Sequence, residues 1–79
     1  MEYENEKFTK ALIRTLVDAR KRRGLSHDAI ANKAGLSRQT LGKIESGIAN
    51  PTMLTMYKIV RAMDMTMEQF VKAMDDYRN

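Results

Sequence analysis

Residues 25–47, LSHDAIANKAGLSRQTLGKIESG, constrain what this chain can fold into more than any other stretch. Ser26 is a helix cap whose hydroxyl can accept a backbone N–H from the first turn of Asp28, Ala29 and Ile30. Ile30, Ala31 and Ala34 then fall on one face at helical spacing, and Gly35 follows, where a helix can end in the left-handed conformation. Ser37 opens a second helix with Leu41 and Ile44 as its apolar stripe. Helices this short are not stable in isolation, so both must be held in a shared core. Ala31 is small enough for the two to cross closely, near a right angle.

Arg38, Gln39, Gly42 and Lys43 occupy the opposite face of the second helix, near its start. Arg and Gln pair bidentately with guanine and adenine edges in a major groove. Their place on the first turn of a second helix is the docking geometry of a helix-turn-helix. Gly42 in a helix interior costs about 1 kcal/mol relative to Ala. Either the missing side chain lets the helix sit deeper in a groove, or the residue is simply tolerated; the sequence leaves both open.

Residues 16–70 resemble the phage Cro/repressor (Xre-like) family through ARKRRGLS, IANKAGLSRQTLGKIESG and NPTMLTMYKIVRAMDMT, about two thirds of the chain. The resemblance implies an all-α, five-helix bundle of the lambda-repressor-like type, with the helix-turn-helix at about 26–46. It implies binding to double-stranded DNA, with Arg38 and Gln39 reading bases and Lys43 a base or a phosphate. Ser26, His27 and Thr40 would clamp phosphates, Gly42 would lie against the groove, and Asn50 would serve in the following loop. Ser37 is a further contact candidate, although its hydroxyl is also the cap. The family usually has Gln where this chain has His27. It often has a basic residue in the loop before Pro51, where this chain has Ile48 and Ala49. Relatives also pair an Arg and a Glu at the positions of Arg20 and Glu45 in a partly buried salt bridge.

The charge pattern agrees with a polyanion partner. The net charge is +4, but residues 1–6 carry three acids, residues 7–47 carry +7, and residues 48–79 are neutral overall. The excess therefore lies in the half that holds the reading helix. With one His, no Cys and no glycine-rich phosphate loop, the chain has no support for an enzyme, a metal site or a cofactor. No apolar run is long enough to span a membrane and no export signal is visible, so the expected compartment is the cytoplasm.

In chain order, residues 1–5 read as a frayed end and a first helix starts near Asn5, ending at Arg23 before Gly24. Phe8, Leu12, Leu16 and Ala19 form its expected inward stripe, with Ile13 and Val17 beside it. Thr52 caps a fourth helix to about Met63 whose expected buried face is Met53, Met56, Ile59, Val60 and Met63. Thr66 and Gln69 have the form of a capping box, opening a fifth helix to about Tyr77. All 79 residues are expected to form one domain.

Met67, Phe70, Val71, Met74 and Tyr77 on the fifth helix, with Leu54 beside them, exceed what so small a core needs, although the helix could also fold back on Ile13, Val17 and the fourth helix. They are expected to make a homodimer interface, the dimerisation helix spanning about 66–77. A dimeric transcriptional regulator on a palindromic operator, a repressor or autoregulator, is the resulting expectation. The alternative is an antitoxin whose main partner is a toxin protein bound at that stripe, and which also binds its own promoter.

Overall fold

The computed structural model describes the backbone of residues 2–78 and the side chains of residues 6–77. Five helices follow one another: α1 (Glu2–Arg22), α2 (His27–Ala34), α3 (Arg38–Glu45), α4 (Met53–Ala62) and α5 (Met67–Arg78). No strand occurs among the described residues, so the fold is the expected all-α bundle. None of these helices is long and apolar enough to cross a membrane.

Each boundary follows from local chemistry. The Ser26, Ser37 and Thr52 hydroxyls accept from the backbone N–H of Ala29, Thr40 and Thr55, each at 3.0 Å. Thr66 and Gln69 satisfy each other's backbone N–H, both at 3.0 Å, which is the reciprocal cap at the start of α5. Gly35 ends α2 at φ 71°, and the Leu36 N–H returns to the Ala31 carbonyl at 2.8 Å. Asp64 takes the same left-handed role after α4 at φ 59°, a conformation that Asp tolerates better than most residues.

Helix α1 lies along α5, α2 crosses α3 and also meets α4, and α4 closes the bundle against α5. Leu16, Ile30, Leu41, Ile59, Val60, Met63 and Phe70 are fully buried where these helices converge. Arg23 ties the turn after α4 to α1, its Nε donating to the Met63 carbonyl at 2.7 Å.

Several sequence expectations change. α1 begins at Glu2 rather than near Asn5, while the side chains of residues 1–5, expected to be frayed, lie outside the described set. Its buried face is Ala11, Thr15, Leu16 and Ala19, whereas Phe8 is 43% exposed. Small residues let α1 approach α5 closely, and Thr15 is buried because its hydroxyl donates to the Ala11 carbonyl at 2.7 Å. Met53, at the very start of α4, is 76% exposed instead of buried, and Met65 is buried in its place.

The fifth-helix stripe is also divided. Phe70 and Met74 belong to the core of the chain itself and cannot face a second molecule in this fold. The Tyr77 hydroxyl donates to Asp18 and its ring sits beneath the Arg14 guanidinium at 5.3 Å, so Tyr77 fastens α5 to α1. Met67 is half-buried, while Val71 and Leu54 remain exposed.

Candidate nucleic-acid interface

Helix α3 is fixed from beneath. Leu41 and Ile44 bury their side chains, which forces Arg38, Gln39 and Lys43 to project into solvent from the other side of α3. The Ser37 cap aligns the first turn, and Ser37 and Thr40 also share a hydroxyl–hydroxyl bond at 2.8 Å. The last turn is closed by the N–H groups of Ile48 and Ala49, which donate to the Lys43 carbonyl. The Lys43 side chain stays outside.

Behind this helix stands an ion cluster linking three helices. Arg20 on α1 grips Glu45 at the end of α3, with Nε to Oε2 at 2.8 Å and Nη2 to Oε1 at 3.1 Å. Its Nη1 donates to the Leu25 carbonyl at 3.1 Å, which adds the connection between α1 and α2. The side chains are 14% and 9% exposed. Arg20 and Glu45 therefore form the expected bridge.

Burial alone would push the Glu45 carboxyl up. Hydrogen bonding and charge attraction from Arg20, and then from His27, outweigh burial and hold it below its ordinary 4.5.

His27 is placed differently from the expectation. Its Nε2 lies 2.9 Å from Glu45 Oε1. An ionised carboxylate only accepts, so Nε2 carries the hydrogen in that contact. In the neutral ring Nδ1 then has a lone pair and cannot donate to a phosphate, so only protonated His27 could make the contact expected of it. The primary role the structure gives this residue is to support Glu45.

Of the run from Arg20 to Arg23, Arg20 turns inward to Glu45 and Arg23 stays exposed while donating to the Met63 carbonyl, and Lys21 and Arg22 are exposed as well. Ser26 and Asn50 lie exposed on the loops flanking the helix pair. The Ser26 oxygen accepts its cap bond, and its hydroxyl hydrogen can still donate outward. Asp28 was not singled out by the sequence, yet its Oδ1 lies 3.6 Å from Arg38 Nε. An acidic residue in the first turn of a helix is an ordinary dipole partner, and that ordinariness hid it.

Gly42 has no packing reason to be glycine. A Cβ built there meets nothing within 4 Å, and the residue is not in the left-handed region. Gly42→Ala should therefore raise folding stability by about 0.5–1 kcal/mol. Calorimetry checks that gain, and a DNA titration alongside it separates the two readings of this position. Weakened binding in the more stable variant means that the bare backbone is needed against the groove; unchanged binding means that glycine is only tolerated.

Comparison with known proteins agrees with this geometry. A family model described as helix-turn-helix matches residues 16–70. An uncharacterised HTH-type transcriptional regulator of Sinorhizobium fredii is 30% identical over 57 residues, 72% of this chain and 74% of that protein. The HTH-type transcriptional regulator SutR of Escherichia coli is 32% identical over 66 residues, which cover 84% of this chain but 37% of SutR. An uncharacterised HTH-type transcriptional regulator of Methanothermobacter thermautotrophicus is 35% identical over 52 residues, 65% of this chain and 75% of that protein.

Proposed function

This chain belongs to the helix-turn-helix family of transcriptional regulators, and on that premise we propose that it is a repressor or autoregulator binding a palindromic operator as a homodimer. The observation that carries the reading is the division of α3 into two faces. Leu41 and Ile44 anchor it, while Arg38, Gln39 and Lys43 stand exposed around its first two turns with no core to serve. A helix held in this way can enter a major groove N-terminus first. Arg38 then reaches guanine N7 and O6, Gln39 an adenine edge, and Lys43 a neighbouring base or phosphate. Ser26 and one of the bonded pair Ser37 and Thr40 keep a hydroxyl hydrogen to donate at the two helix starts, where they and the backbone amides favour phosphate. Occupancy of the operator excludes other proteins from the same DNA, which is the simplest form of repression.

Selection from random duplexes followed by sequencing tests this directly, since it yields operator, symmetry and half-site spacing together. The expected product is an inverted repeat with half-sites about one DNA turn apart. On the selected duplex, Arg38→Ala should relax the preference at one base pair at a cost of about 1–3 kcal/mol, and Gln39→Ala should do so at a neighbouring one. A uniform loss over all sequences, with the preference profile intact, would mean that these residues touch only phosphate.

A further inference from the structure

We propose that Asp28 is a positioning residue for Arg38, orienting its guanidinium for base reading and so setting how sharply the operator is discriminated. This rests on the reading of Arg38 as a base contact.

Asp28 lies on α2 and Arg38 on α3, and their side chains meet across the turn with Oδ1 3.6 Å from Nε. Both are exposed, at 70% and 71% of the side chain. An exposed pair at this distance contributes little to stability, so holding the fold together does not account for it. Favourable interaction with the α2 dipole does not account for it either, because any position in that first turn would serve equally. Meanwhile a carboxylate on the face that approaches DNA repels phosphate. The cost of that repulsion needs a compensating role.

The contact supplies one. A guanidinium has five N–H groups in a rigid fork, and a guanine edge takes two of them. Asp28 lies on the Nε side of the guanidinium, so a base edge can take the two terminal nitrogens without displacing it. An arginine held in this way loses less rotational freedom on binding than one that sweeps freely. The negative charge also disfavours the alternative in which Arg38 swings onto a phosphate and reads nothing.

The experiment compares Asp28→Asn and Asp28→Ala, alone and combined with Arg38→Ala, on the selected operator and on duplexes changed at each base pair. Asn keeps the shape of Asp without its charge, and thermal unfolding verifies that each variant is folded. The expected result is a five- to tenfold loss of discrimination, on the order of one kind of contact, confined to the base pair that Arg38 reads. In the Arg38→Ala background the Asp28 changes should have no further effect there.

Equal tightening on every duplex with unchanged ratios would overturn the proposal, leaving Asp28 as simple repulsion. Lost preference at a different base pair, additive with Arg38→Ala, would also overturn it, because Asp28 would then read a base itself. A native protein with no base preference defeats the proposed function instead. A preference that Arg38→Ala abolishes and the Asp28 variants leave intact defeats only this inference.

Discussion

Arg20→Met should destabilise the fold by about 3 kcal/mol, while removing the neighbouring exposed charge with Lys21→Met should change stability by less than about 0.5 kcal/mol. Methionine keeps the length and apolar stem of arginine, so packing survives and the loss is electrostatic. Glu45 is left 9% exposed with only His27 beside it. The Leu25 carbonyl also loses a donor. Acid should erase the difference. In the native protein the Glu45 carboxyl is held below 4.5, so its contribution is full above that pH and disappears as pH falls through the lower folded value. In Arg20→Met, burial no longer meets an outweighing cation, and protonating Glu45 relieves the variant instead. The gap between the two proteins should therefore be widest near neutrality, begin to narrow above pH 4.5 as the raised carboxyl of the variant protonates, and close as pH falls through the lower native value. Urea unfolding at pH 7, 5, 4 and 3 measures it. A gap that stays constant across that series would show that the bridge is not its source.

The same bridge illustrates what the sequence can reveal. Arg20 and Glu45 are far apart in the chain, and only the family resemblance pairs them; in the fold their side chains lie 2.8 and 3.1 Å apart. By contrast, the helix pair itself is written locally, because Ser26, Gly35 and Ser37 act on residues within four positions. Errors arise where one helix meets another. On α1 the large apolar residue Phe8 suggested an inward face, yet the small residues Ala11 and Thr15 face inward, because close approach to α5 is decided by size. Tyr77 read as surplus apolar surface because its partners, Asp18 and Arg14, lie some sixty residues earlier. His27 read as a phosphate donor because nothing local shows Glu45 beside it. The exposed polar face of α3 was legible for the opposite reason. It follows from a single helix's periodicity once Leu41 and Ile44 are assigned to the core.

Met53→Glu and Val71→Glu should both yield folded monomers whose affinity for a full operator falls by about a hundredfold or more, while half-site binding is retained. The size follows from linkage, since joining two modest binding events makes the second effectively intramolecular. With Phe70 and Met74 assigned to the core, the apolar surface left for a partner lies around the cleft between α1, α4 and α5. Phe8, Leu12, Met53, Met67 and Val71 line it, and Leu54 stands exposed beside Met53. A patch of this kind on one face can close on its own copy about a two-fold axis, which would set two reading helices for paired half-sites. Met53 is the sharper probe, because at 76% exposure on the first turn of α4 a carboxylate there favours the helix and costs no core packing. Met74→Glu is the internal control. Its side chain is 5% exposed, so the charge would enter the core, and the expected outcome is an unfolded chain rather than a monomer. Sedimentation, circular dichroism and titration of full and half operators distinguish the three. If the unmodified protein sediments as a monomer at high micromolar concentration and remains one on its operator, this surface does not join two copies.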